Sequence, residues 1–105
     1  KMTDAVKNKI TASLKATGYP VAYRAFKNAQ DMPFICWRVV YSNNFIADGV
    51  VYKEIDHVQI ELYAASKNPD AERNVQNALA GYVWQKSEEF IESENAYQVI
   101  YEIEV

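Results

Sequence analysis

Alternate residues of the closing stretch, Tyr97, Val99, Tyr101, Ile103 and Val105, are large and apolar, with Gln98, Glu102 and Glu104 between them. A repeat of two lays each set on one face of a β-strand, so the stretch predicts a strand with an apolar face against a core and an acidic face away from it. Ile100 breaks the scheme as an apolar residue on the wetter face. A chain with such a strand needs a sheet whose covered face holds the core and whose second face meets water or another protein.

Length confines the choice further. At 105 residues the chain predicts one domain over residues 1–105, with no room for a second core. Half of the residues are apolar and 24% are charged, an ordinary balance for a soluble globular protein. The net charge of −3, with eleven Lys and Arg that form no run, argues against a nucleic-acid binder. Cys36 is the only cysteine, which excludes an internal disulfide and suits a reducing interior. Inside the apolar run Phe34–Tyr41 it reads as a buried, inert thiol rather than a nucleophile. No segment has the apolar core of a signal peptide or the roughly 20 apolar residues of a membrane span, so a cytoplasmic setting is expected. Lys1 precedes Met2, and Met2 reads as the natural start.

Thr3 and Asp4 predict the start of a first helix, with Val6, Ile10 and Leu14 as its inner stripe and Gly18 as its stop. Tyr19, Val21 and Tyr23 alternate into a first strand, and Phe34–Tyr41 predicts a central strand covered on both faces. Asn43–Gly49 reads as an elaborated hairpin loop, after which Val50–Tyr63 forms the third strand region. Asn68-Pro69 opens a second helix whose inner stripe is Ala71, Val75, Ala78, Leu79 and Tyr82, ending at Gly81. Trp84–Ile91 and Tyr97–Val105 predict a hairpin turning at Ser93-Glu94-Asn95. The fold class that follows is α+β in two layers. It is a mainly antiparallel or mixed sheet of about five strands with two α-helices on one face, in the order α-β-β-β-α-β-β.

Little in the sequence offers chemistry. His57, the only histidine, lies beside Asp56 but lacks the third partner that general-base catalysis needs, and reads as a polar residue on the wetter face of its strand. One His and one distant Cys do not make a zinc site. Glu88, Glu89, Glu92, Glu94, Glu102 and Glu104 invite comparison with a glycosidase pair, yet read better as a solvated or partner-facing acidic stripe. Three glycines leave no phosphate loop. The eight tyrosines lack the basic neighbours of a base-stacking platform and suit a core and a protein interface instead.

Several stretches together resemble a known class. They are Gly18-Tyr19-Pro20-Val21-Ala22-Tyr23, Met32-Pro33-Phe34-Ile35-Cys36-Trp37, Asn44-Phe45 with Ala47-Asp48, and Val58-Gln59-Ile60-Glu61-Leu62-Tyr63 followed by Lys67-Asn68-Pro69 and Glu72. The most distinctive is Glu88-Glu89-Phe90-Ile91-Glu92-Ser93-Glu94 with Tyr97 and Ile100-Tyr101-Glu102. The chain resembles, over nearly its whole length, the tail-terminator and head–tail joining (tail-completion) proteins of long-tailed bacteriophages and prophages of Gram-positive bacteria.

The resemblance implies a non-enzymatic α+β building block without catalytic residues, cofactor or metal. Its partners would be itself in a ring, typically a hexamer though monomeric in isolation for some, the major tail protein, and a head-connector or stopper protein. Neither a membrane nor a specific nucleic acid is expected among them. Its place would be the virion tail or neck, and the host cytoplasm during assembly. The candidate contact residues are Asn43, Asn44, Phe45, Ile46 and Asp48 in the loop and Ile100, Glu102 and Glu104 on the last strand. Phe45 and Ile46 either meet a partner or tuck beneath the hairpin as core. Two alternatives stand beside this reading: another connector component of the same module, and a monomeric domain that binds protein or nucleic acid.

Overall fold

A computed structural model describes residues 1–42, 45–47 and 49–105. The elements run α1 (Asp4–Lys15), β1 (Val21–Tyr23), β2 (Phe34–Ser42), β3 (Phe45–Ala47), β4 (Val50–Lys53), β5 (Asp56–Ala64), α2 (Pro69–Ala78), β6 (Gln85–Ile91) and β7 (Ala96–Glu104). Five strands form a mixed sheet in the order β1-β2-β5-β7-β6, and β3 and β4 form a separate two-stranded sheet. The architecture is α+β, as the sequence predicts.

Local chemistry sets the helix ends. The Thr3 hydroxyl accepts the Val6 N–H at 3.2 Å, and the Asn68 side-chain oxygen accepts that of Ala71 at 3.1 Å. Each satisfies a backbone donor that the first helical turn leaves free. The first helix ends at Lys15, three residues before the expected stop, and Gly18 takes the left-handed conformation (φ +87°) in the turn that follows. The second ends at Ala78 rather than Gly81, with Leu79 as its cap and no left-handed conformation at that glycine.

Both helices pack on one face of the large sheet. Ile10 and Leu14 of α1 and Ala71, Val75 and Leu79 of the α2 region meet Ile35 and Trp37 of β2, Val58, Ile60 and Leu62 of β5, and Val99, Tyr101 and Ile103 of β7. The antiparallel register Trp37↔Ile60 and Ile60↔Tyr101 carries this apolar row across the three central strands. The last strand therefore turns Val99, Tyr101 and Ile103 of the predicted set into the core, whereas Tyr97, against the exposed Phe90, and Val105, just past the strand, are half-buried. At its centre the Tyr101 hydroxyl donates to Gln76 Oε1 at 3.1 Å, so the buried phenol has a partner and burial raises its pKa.

Two expectations need correction. The stretch Val50–Tyr63 is two strands, because Glu54 and Ile55 end the small hairpin before β5 begins at Asp56. Strand β2 is covered on both faces only around Ile35–Trp37 and becomes exposed from Arg38 outward, Val39 excepted. Parallel pairing of β1 with β2 accounts for this, because the chain must return the length of a strand between them. Arg24 turns it out of β1 at φ +70°, and residues 24–30 then pass beside Phe34, Cys36 and Tyr63 on the face opposite the helices. Phe26 meets Phe34 edge-on at 5.5 Å, and Phe34 stacks on Tyr63 at 4.9 Å. The return loop is what buries Cys36.

Glu72, 4% exposed, is held by Lys67 and Lys86 at 2.8 and 2.6 Å, which ties α2 to β6. Burial alone would raise its carboxyl pKa. The hydrogen bonds from the two lysines outweigh that and bring it below its ordinary value. The Asp56 carboxyl is also lowered, by the Ser42 hydroxyl first and the Met2 N–H after it.

Leu62→Ala, at a fully buried site in the core, is expected to cost about 2–5 kcal/mol in urea unfolding. Because the folded state binds protons on Glu72 and Asp56 less readily than the unfolded chain, the stability these groups add is present above the ordinary carboxylate range near pH 4. It is lost as pH falls through their lower folded-state values. Urea midpoints should therefore drop on acidification through that range, with a shallower drop in Glu72→Gln.

Candidate assembly surface

The face of the sheet away from the helices carries no helix among the described residues, and it holds two polar groups that are nevertheless buried. One is Glu61 in the middle of β5, 7% exposed. Its oxygens accept from Gln59 Nε2 at 2.9 Å and Tyr63 Oη at 2.8 Å, Gln98 Nε2 donates to Tyr63 Oη at 2.9 Å, and Arg38 Nε lies 3.7 Å away. Both carboxylate oxygens are satisfied, so this network is structural. It also suppresses neighbouring chemistry. Burial first, and the Glu61 charge second, push the Cys36 thiol up to about 11, while burial and the hydrogen bond to Glu61 raise the Tyr63 phenol.

The other is His57 at the start of β5, also 7% exposed. The sequence reading placed it on the wetter face, and the register does so, but it is not solvated. Tyr41, near the end of β2, stacks on it with ring centres 4.2 Å apart and planes 18° from parallel. Register brings Glu102 and Glu104 of β7 to its other side. Nδ1 lies 3.4 Å from Glu102 Oε1 and Nε2 3.8 Å from Glu104 Oε1. Neither approach has hydrogen-bond geometry, and among the described residues both ring nitrogens are buried without a partner. A groove of about 580 Å³ opens here, with Tyr82, Val83 and Gln85 on its far wall. Val83, 91% exposed, and the half-exposed Tyr41 give it an apolar rim.

The groove sits at the end of the sheet where β2 finishes, β5 begins, β7 finishes and β6 begins. The β3–β4 hairpin leaves the sheet at this same end, between Ser42 and Asp56.

Of the predicted contact residues, the structure brings Glu102 and Glu104 together at the groove, both on the wetter face and both with substantially exposed side chains. Ile100 shares that face, where it stands between Glu61 and Ser87 in register; it is half-buried and not at the groove. Phe45 and Ile46 belong to β3, paired with Lys53 and Val51 of β4. Asn43, Asn44 and Asp48 lie outside the described residues. Tyr41 and Val83 escape a sequence reading, the first because it ends an apolar run that looks like core and the second because it sits in an unpatterned connection. Among the described residues no group of three or more His, Cys, Asp or Glu side chains is placed to hold a metal ion.

Tyr41→Ala should cost about 1 kcal/mol in urea unfolding, the worth of one aromatic pair, and expose the His57 ring to solvent. Iodoacetamide should label Cys36 in the folded protein at pH 7 about a hundredfold or more slowly than in the unfolded chain, as its raised thiol pKa requires. No protein-family model matches the chain, and no curated protein matches it either.

Proposed function

We propose that this chain is a structural protein of a phage neck, most specifically a tail terminator. It closes as a ring on the end of the tail tube, stops its growth and offers a joint to the head connector. It works by docking copies of itself, the major tail protein and a connector or stopper protein, with no bond made or broken. It belongs in the virion, after assembly in the host cytoplasm.

The observation that carries this reading is the β3–β4 hairpin. It forms a sheet of its own beside the large one. A lone two-stranded hairpin is marginal in water, and one held out at the end of a domain suits an element that completes itself on a partner. The resemblance of Asn44-Phe45 and Ala47-Asp48 to the phage class falls on this segment. Beside it the domain offers the acidic groove with its apolar rim, an arrangement suited to recognition. No helix among the described residues is long and apolar enough to cross a membrane.

Deleting the gene from a phage that carries it should yield tails of uncontrolled length that fail to join heads, seen by electron microscopy. Tails of normal length that still fail to join would move the role to another connector component of the same module. Normal tails joined to heads would reject both.

A further inference from the structure

We propose that the groove over His57 is a receptor for one lysine or arginine side chain of a second copy of this chain, its cation held between Glu102 and Glu104 above the imidazole. The inference deepens the assembly reading and rests on it.

The site itself calls for a donor. His57 is buried with both ring nitrogens unpartnered among the described residues, although two carboxylate oxygens stand within 4 Å. A carboxylate offers only acceptors, so Glu102 and Glu104 cannot serve a ring nitrogen that carries no hydrogen. A guanidinium or ammonium group supplies several donors at once. It can give one to the imidazole and others to Glu102 and Glu104, while the imidazole N–H turns to the nearer carboxylate. Tyr41 and Val83 supply apolar surface for the methylene stem. The buried floor separates this site from an exposed surface ion pair, which holds little.

Charge points to the source of the cation. Although the basic residues form no run, seven of the eleven Lys and Arg precede residue 39, with only Asp4 and Asp31 among them; that part carries +5 and the remainder −8. The ion pairs of the acidic part consume Lys67, Lys86 and Arg73 internally. Lys9, Lys15, Arg24 and Lys27 have no carboxylate partner among the described residues, and neither Glu102 nor Glu104 has a Lys or Arg partner among them. Arg24 and Lys27 follow β1, one edge strand of the sheet, whereas Glu102 and Glu104 lie on β7, next to the other edge strand β6. Each copy thus carries cations and an acidic groove that are not matched to each other among the described residues, as a contact between unlike patches requires.

The test uses the intact protein, followed by NMR of the His57 and Tyr41 ring signals from about 10 μM to about 1 mM, a span that reveals millimolar self-association. The ring signals should shift with concentration and return on adding salt. Glu102→Gln/Glu104→Gln should weaken that association about tenfold or more, whereas Glu89→Gln/Glu92→Gln, which removes as much charge away from the groove, should not. His57→Phe keeps a ring against Tyr41 and removes the acceptor, and should weaken it as well. Ring signals that stay constant over the whole range overturn the proposal, as does association equally strong in Glu102→Gln/Glu104→Gln or equally weakened in the control pair. The two readings fail separately. Normal tails in the deletion phage reject the neck role while the ring signals still shift, and silent rings reject the groove while the deletion phenotype stands.

Discussion

Burial of Ile10 and Leu14 from α1 and of Ala71, Val75 and Leu79 from the α2 region against one face of the sheet is the contact on which the remaining structure depends. Burying the Ile, Leu and Val side chains supplies about 1.5–3 kcal/mol each, and Ala71 less, which together outweighs what any one polar group of the domain contributes. With both helices on that face, the other must shield itself. It does so piecemeal: the return loop beside Phe34 and Cys36, the Glu61 network in the middle, and Tyr41 stacked on His57 at the end.

Glu61 and His57 make an instructive pair. They share a strand and a face and are equally buried. Every oxygen of the carboxylate has a donor, so that region is closed as a hydrogen-bonding system and has nothing to offer a partner. The imidazole has no partner among the described residues, and an unpartnered buried polar group costs stability that a folded chain seldom forgoes without use. The same comparison separates the inert thiol of Cys36, silenced by burial and by its neighbour Glu61, from the groove, where among the described residues the ring nitrogens of His57 remain unmet.

What could be read from the sequence follows from periodicity and caps. The alternation Val99, Tyr101, Ile103 named its buried face correctly, and Thr3 and Asn68-Pro69 marked both helix starts, because such signals depend on near neighbours alone. The register that sets Glu102 and Glu104 against His57 depends on which strands pair. A chain in which β5 and β7 are separated by a helix and a hairpin strand does not reveal that locally. The same holds for β2. Its continuous apolar run suggests a strand sandwiched between two layers, whereas the second cover is a loop, made necessary by the parallel pairing of β1. Val50–Lys53 has ordinary strand composition, and only the break at Glu54-Ile55 assigns it to another sheet.

The distribution of charge limits how copies of such a domain can meet. A two-fold contact sets each patch against its own twin, so pairing copies through the groove would oppose Glu102 and Glu104 to the same residues of the neighbour, a repulsive arrangement. Pairing them through a basic residue set against its own twin would be repulsive for the same reason. Only contacts between unlike patches bring opposite charges together, and repeated unlike contacts either close into a ring or run on as a filament. Which occurs depends on the angle between the two patches on one subunit, and that angle is held by the stiffest part of the molecule, the β2-β5-β7 sheet with the helix-covered core behind it. The groove chooses the partner, and the sheet behind it decides whether the chain of partners closes.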